Sequence, residues 1–182
     1  MIIKNQKTSI YLKKDKNINS NSFLFIHGFT GSHDSWSDIR RHINSSSIAI
    51  DVPGHGKSTF VDLKDDYSYD DWCTDIFLTL RQLKINKINI CGYSMGGRLA
   101  LIFALKHPSF VNKLILESTS LGIEDFDQRT IRREEDREKC QDIKTSLKDF
   151  NCKWEKNKLF KHQKNRKINK ERKIWGSPLF LR

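Results

Sequence analysis

Short apolar runs alternate along the chain with longer segments in which apolar residues recur at helical spacing. The runs are rich in β-branched and aromatic residues, and the first three lead into loops that contain glycine, as strands entering loops do. They lie at 22–26, 47–52, 88–91 and 113–117. The segments with helical spacing lie between and after them, at 36–43, 69–83 and 95–106. This alternation predicts a mostly parallel sheet with helices on both faces, and residues 2–3 and 9–12 predict leading antiparallel strands.

Three of the predicted strands end in loops that contain glycine. The first loop reads His27-Gly28-Phe29-Thr30-Gly31, the second spans 51–58 (DVPGHGKS), and the third spans 92–98 (GYSMGGR). The third loop places Ser94 between glycines where a strand passes into a helix, which is the pattern of a nucleophile elbow. In such elbows the oxyanion hole combines the N–H that follows the serine with one from an earlier loop. We therefore predict Ser94 as the catalytic residue and the backbone N–H groups of Phe29 and Met95 as oxyanion donors.

Taken together, these loops and the Trp36 that follows the first of them resemble the α/β-hydrolase superfamily. A narrower resemblance is to the 2-succinyl-6-hydroxy-2,4-cyclohexadiene-1-carboxylate synthases of menaquinone biosynthesis. It rests on Arg98 after the double glycine, on residues 117–123 (ESTSLGI) leading into an arginine-rich helix, and on 154–160 (WEKNKLF). The resemblance covers roughly Phe23 to Phe160. It implies the N-terminal part of an α/β-hydrolase core over 1–122, a helical cap segment over 123–160 and a basic tail over 161–182.

The resemblance implies a lyase that eliminates pyruvate, in which the serine removes a proton from a small substrate that carries several carboxylates. It also implies a cytoplasmic monomer without a cofactor or a metal. Guanidinium groups suit such a substrate because each can hold a carboxylate through two parallel hydrogen bonds. The expected substrate-binding residues are Arg98 beside the elbow, Tyr93 and Trp154 along the apolar wall, and the cap residues Arg129, Arg132 and Arg133.

Each binding role has a structural alternative. Arg132 and Arg133 stand beside three acids at 134–136, so weak ion pairs on a solvated helix would explain them without a ligand. Trp154 could anchor the cap to the core, and Tyr93 could be a spacer within the elbow. His27 and His55 lie in glycine loops, where a structural hydrogen bond is the commoner role for a histidine.

No residue after Ser94 is an evident base. Elbow enzymes carry the acid and the histidine after the serine, and a serine hydroxyl needs such a partner to lose its proton. His107 follows at the far end of the elbow helix, roughly 20 Å away, and His162 lies in the basic tail. The later strands that would hold these partners are also missing. We therefore expect an N-terminal part of a longer enzyme, with 113–117 as a sheet edge. A serine esterase and a non-catalytic fragment stay open as alternatives.

Composition and charge limit the classes of function that remain for this chain. The chain has 182 residues and a net charge of +11, and +9 of that charge falls between residues 153 and 182. Because the excess is local and shows no aromatic stacking pattern or known nucleic-acid-binding motif, it does not indicate nucleic-acid binding. No apolar signal core and no run long enough to span a membrane are present. The four cysteines lack metal-ligand spacing, which favours reduced thiols and no metal site.

Overall fold

The computed structural model describes residues 1–61 and 67–158. The predicted tail, with His162, and the last two residues of the cap segment lie outside the described residues. The strands are β1 (Ile2–Lys4), β2 (Thr8–Lys14), β3 (Phe23–Ile26), β4 (Ser47–Ile50), β5 (Thr59–Phe60), β6 (Ile88–Tyr93) and β7 (Val111–Glu117). The α-helices are α1 (Ser37–His42), α2 (Tyr69–Gln82), α3 (Met95–Lys106), α4 (Phe126–Thr145) and α5 (Leu147–Glu155).

The described strands form one mixed sheet in the order β1-β2-β4-β3-β6-β7, and β5 pairs with β2. The pairs β3–β4, β3–β6 and β6–β7 are parallel, whereas β1 and β2 are antiparallel to their neighbours. The carboxyl ends of the three central strands therefore meet at one edge, where their loops can build a common site. This arrangement confirms the mostly parallel sheet and the leading antiparallel strands.

The two faces of the sheet are covered unequally. One face packs against α2 and α3 in a large core whose fully buried side chains include Trp72, Leu80 and Phe103. The other face carries a small cluster of Phe25, Trp36, Ala49 and Cys91. Phe25 and Trp36 have their ring centroids 4.8 Å apart in that cluster. The described part of the second face is therefore covered chiefly by the short segment that holds Trp36.

The helix predicted over 36–43 is confirmed within one residue at each end, but a separate 3₁₀ turn precedes it. Residues His33–Trp36 form a 3₁₀ turn, which begins at a capping box built by Ser32 and Ser35, and only Ser37–His42 are α-helical. Side-chain oxygens that bond the first backbone N–H groups fix where such a turn begins. The helices predicted over 69–83 and 95–106 are confirmed within one residue.

Strand β7 is the outer strand at one side of the described sheet. It pairs with β6 through registers such as Cys91 to Ile115 and Tyr93 to Glu117. Its residues are half-buried or exposed, and Ile115 keeps 44% of its surface exposed. Residues 88–92 of β6, by contrast, are all buried. No helix among the described residues is long and apolar enough to cross a membrane.

Candidate active site

Ser94 occupies the sharp turn between β6 and α3. Its backbone angles are φ 53° and ψ −112°, a conformation that residues with a side chain adopt only under strain. The Ser94 N–H donates to the carbonyl oxygen of Glu117 at 2.9 Å, which ties the turn to the end of β7. The first turn of α3 follows directly, so its positive end faces the serine. These are the features of the nucleophile elbow that the glycine spacing predicts.

Three glycines let the elbow pack tightly. A Cβ on Gly96 would overlap the carbonyl oxygens of Ile26 and His27, and one on Gly92 would overlap the backbone of Gly96. A Cβ on Gly97 would collide with the Thr119 hydroxyl. The first turn of α3 therefore touches the end of β3 directly, because no side chain stands between them.

The loop after β3 lies against the elbow. A Cβ on Gly28 would stand 2.7 Å from the Tyr93 ring and 3.3 Å from the Tyr93 carbonyl oxygen, which belongs to the peptide bond before Ser94. Phe29 follows Gly28, so its backbone lies close to the serine turn. Among the described residues, the backbone N–H groups of Phe29 and Met95 donate no hydrogen bond. The two predicted oxyanion donors therefore keep backbone N–H groups without a partner in the described part of the chain.

His27 holds this loop rather than serving the serine. Its Nδ1 lies 2.8 Å from the Gly28 carbonyl oxygen, and its Nε2 accepts from the Val52 N–H at 3.0 Å. The ring is fully buried, and burial lowers the pKa of His27. The predicted role of His27 within the loop is confirmed.

A buried carboxylate organises the loop after β4. Asp51 accepts hydrogen bonds from the N–H and the Nδ1 of His33, at 2.6 and 2.8 Å, and from the Lys57 N–H at 2.8 Å. Burial acts to raise the pKa of Asp51, but these hydrogen bonds and the nearby His33 ring bring it below its usual value. A Cβ on Gly56 would overlap the carboxylate. Asp51 is therefore engaged in holding its own loop.

An aromatic cluster joins the loop after β3 to α5. The Phe29 ring makes edge contacts with Trp154 and Phe150 of α5, at centroid distances of 5.3 and 6.0 Å, and with His55 at 6.0 Å. Phe150 and Trp154 stack at 5.8 Å. Trp154 thus ties α5 to the loop after β3, which carries a candidate oxyanion donor. Sequence reasoning missed Phe150, since nothing local marks its contact with a loop 121 residues earlier.

The candidate arginines differ in how they are engaged. Arg98 is half-buried in the first turn of α3, and its guanidinium has no hydrogen bond or ion pair within the described ranges. Arg132 bonds both carboxylate oxygens of Asp136 at 2.9 Å, as the spacing of opposite charges predicts. Arg129 lies over the Phe126 ring and reaches the Ile123 carbonyl oxygen at 3.4 Å. Arg133 is exposed.

No base touches Ser94 in the described part of the chain, where its hydroxyl makes no hydrogen bond. His55 is buried, and burial lowers its pKa to about 3. His107 follows the last residue of α3 and packs against Phe77, Phe103 and Phe110, as the helix length predicts. No cluster of His, Cys, Asp or Glu among these residues could hold a metal ion, and all four cysteines are free thiols.

The parallel sheet and the strained serine turn at its carboxyl edge are features that a family of enzymes shares. Residues 21–137 match the family described as alpha/beta hydrolase fold. The chain therefore belongs to the α/β-hydrolase fold family.

Three relatives narrow the comparison. A protein of Bacillus subtilis (strain 168), provisionally named 2-succinyl-6-hydroxy-2,4-cyclohexadiene-1-carboxylate synthase, is 37% identical over 79% of this chain and 53% of its own length. The Escherichia coli O1:K1 synthase is 29% identical over 67% of this chain and 48% of its own length. The solved structure of MenH from S. aureus has a TM-score of 0.77 at 26% identity, covering 97% of this chain and 68% of the other. The chain spans about half the length of the curated relatives it matches.

Proposed function

We propose that this chain carries the serine part of a pyruvate-eliminating lyase of menaquinone biosynthesis, of the 2-succinyl-6-hydroxy-2,4-cyclohexadiene-1-carboxylate synthase type. The observation that carries the proposal is the strained Ser94 turn at the junction of β6 and α3. The identity to proteins named as this synthase supports the choice of reaction. In this proposal the chain acts in the cytoplasm on a small polycarboxylate without a cofactor.

The proposed reaction assigns a role to each group at the elbow. The Ser94 oxygen, once deprotonated, takes a proton from a carbon of the substrate. The electron pair forms a C=C bond as the C–O bond to the pyruvyl group breaks, and the released enolate takes up a proton to become pyruvate. The N–H groups of Phe29 and Met95 stabilise negative charge that develops on a carbonyl or carboxylate oxygen. The group that deprotonates Ser94 is not among the described residues.

Arg98 is the proposed carboxylate anchor. It lies one turn after Ser94 on α3, it is half-buried, and no acid of the described chain neutralises it. A half-buried guanidinium favours a ligand that brings a carboxylate. Arg129 and Arg133 remain further candidates from the cap. Arg132 is the least suited because Asp136 already occupies it. Tyr93 and Trp154 would line the apolar wall of the same site.

Calorimetric titration with the precursor that carries the pyruvyl group tests the carboxylate site, because binding does not require a base beside Ser94. We expect Arg98→Gln to weaken binding about 10- to 100-fold, the usual effect of losing a hydrogen-bonded ion pair. The matched control is Arg81→Gln on α2, whose guanidinium bonds Asn86 and which should bind as the wild type does. Equal affinity of the wild type and Arg98→Gln would contradict the proposed anchor.

A serine esterase is the second candidate. An esterase from a marine microorganism shares 27% identity and a TM-score of 0.59 with this chain, over 70% of the chain. An esterase attacks the ester carbonyl with the serine and passes through an acyl-enzyme. A fluorophosphonate adduct on Ser94 together with ester hydrolysis, both lost in Ser94→Ala, would favour the esterase. Pyruvate release without ester hydrolysis would favour the lyase.

A further inference from the structure

The peptide bond between Gly28 and Phe29 is held at its carbonyl end. The Gly28 carbonyl oxygen accepts from the Gly31 N–H at 3.0 Å. It also lies 2.8 Å from Nδ1 of His27, which donates to it, because Nε2 of the same neutral ring accepts from the Val52 N–H. The peptide bond is trans and planar, so the Phe29 N–H points away from these two donors.

The residue after Phe29 adds strain to this loop. Thr30 is buried and has φ 63°, a left-handed conformation that is unfavourable for a β-branched residue. A residue keeps such a conformation only while the contacts around it hold the backbone in place. The contacts of the Phe29 side chain are next to the strained residue, so they help to hold the loop.

Helix α5 supplies two of these contacts from a distant part of the chain. Phe150 and Trp154 lie four residues apart on α5, so they share a face of the helix. Both meet the Phe29 ring edge-on, at interplanar angles of 72° and 90°, an arrangement that favours aromatic pairs. Phe150 is 4% exposed and is the one buried residue of α5. The buried face of α5 is therefore in contact with the residue that carries a predicted oxyanion donor.

We propose that Phe150 is a positioning residue for the oxyanion site, because its contact with the Phe29 ring holds the Phe29 N–H at the Ser94 turn. This inference rests on the proposed function, in which that N–H stabilises negative charge on the substrate. Phe150 acts through Phe29 and needs no contact of its own with the substrate. Trp154, the proposed apolar wall of the site, lies on the same helix, so α5 serves both the wall and the donor.

The two ends of the loop are held without α5. His27 fixes the start through its two ring nitrogens. After the loop, the N–H and Nδ1 of His33 bond the Asp51 carboxylate. Loss of the Phe150 ring should therefore free the middle of the loop at Phe29 and leave its ends in place.

Backbone ¹⁵N relaxation of the labelled chain measures this difference residue by residue. In the wild type the order parameters of Phe29 and His33 should both be about 0.85, as in a rigid backbone. Phe150→Leu should lower the order parameter of Phe29 below about 0.6 and leave that of His33 unchanged. Phe29→Leu removes the same contact from the other side and should lower the order parameter at residue 29 as far. The double variant should fall no further than either single variant.

Phe103→Leu is the matched control, because it makes the same change at a fully buried ring in the large core. It should leave the order parameters of Phe29 and His33 unchanged. If Phe150→Leu does not fold, Phe29→Leu against Phe103→Leu makes the same comparison. An unchanged order parameter at residue 29 after loss of the ring contact, or an equal fall in Phe103→Leu, would overturn the proposal.

Pyruvate release with added imidazole as the base separates this proposal from the proposed function. Phe150→Leu should lower kcat about 10- to 100-fold, because the displaced Phe29 N–H stabilises the transition state less well, and should change KM less than about threefold. A lowered order parameter of Phe29 with unchanged kcat would overturn the role of Phe150 in the oxyanion site. A wild type that releases no pyruvate would contradict the proposed function, whereas the order parameters would still decide whether Phe150 positions Phe29.

Discussion

Strands β6 and β7 are neighbours of similar length, yet they have different surroundings. β6 is buried over 88–92 and ends in the strained Ser94, whereas β7 runs parallel to it with every residue half-buried or exposed. Both strands have apolar, β-branched sequences, so local propensity does not separate them. The two strands differ in how many strands they pair with. β6 pairs with a strand on each side, whereas β7 pairs with one strand within the described chain. A strained catalytic turn such as that of Ser94 needs the first environment, because buried neighbours on both sides hold it in place.

Alanine at matched isoleucines should give the largest contrast. Ile90→Ala removes a fully buried side chain from β6 and should lower the free energy of unfolding by about 3–4 kcal/mol. Ile115→Ala on β7 should cost below about 1 kcal/mol, because the side chain is already partly in water. Urea unfolding measures both losses. If Ile90→Ala does not fold, Ile90→Val can replace it, with an expected loss of about 1 kcal/mol in the free energy of unfolding. Equal losses of unfolding free energy at Ile90 and Ile115 would contradict the difference in burial between β6 and β7.

Gly96→Ala should destabilise the protein by about 2–3 kcal/mol because the new methyl group meets the carbonyl oxygens of Ile26 and His27. The sign is the informative part, since alanine at an ordinary helical glycine stabilises by up to about 1 kcal/mol. Leu105→Ala, at a residue 73% exposed on the same helix, should change stability by less than about 0.5 kcal/mol. A stabilising Gly96→Ala would mean that α3 does not touch β3 as described.

The pH dependence of stability should report how well the loop after β4 buries His55. Burial lowers the pKa of His55 from 6.5 to about 3, so below pH 6.5 the unfolded chain binds a proton that the folded chain does not. Stability is therefore complete above pH 6.5 and falls as the pH approaches 3, by about 2 kcal/mol from this group at pH 5. His55→Gln should flatten this part of the profile, whereas His42→Gln, at an exposed site on α1, should not. Identical slopes of stability against pH in the wild type and both variants would contradict the burial of His55.

Ser94→Gly should raise stability by about 1 kcal/mol, the smallest of these effects and the only gain. Glycine adopts φ 53° with little strain, whereas Ser94→Ala keeps the strain and should leave stability nearly unchanged. Thermal unfolding of the two variants beside the wild type makes the comparison. A Ser94→Gly variant less stable than Ser94→Ala would show that the turn is relaxed in the wild type.

Much of the fold follows from the sequence because its signals are local. The apolar runs that end at glycine or aspartate locate β3, β4 and β6, and helical spacing locates α2 and α3 within one residue. The two-residue strand β5 was missed because so short a segment has no periodicity. The separate 3₁₀ turn over His33–Trp36 was also missed, because apolar spacing does not indicate a turn that begins at a capping box.

The site was predictable only where its signals are local. The glycine spacing around Ser94 predicts the elbow, and the charge spacing between Arg132 and Asp136 predicts their ion pair. The bonds from His33 to Asp51 and the contact of Phe150 with Phe29 join residues far apart in the chain. Such contacts depend on how the elements pack, which no short window of sequence specifies.

Pyruvate release is the measurement that tests the central claim most directly. Wild type and Ser94→Ala are incubated with the precursor that carries the pyruvyl group, with and without added imidazole, which can act as a base in place of a histidine side chain. The account predicts release that depends on Ser94 and rises with imidazole at constant ionic strength, whereas Ser94→Ala stays at the rate of buffer alone. No release from either protein under both conditions, or equal release from the two, would contradict a proton-abstracting role for Ser94.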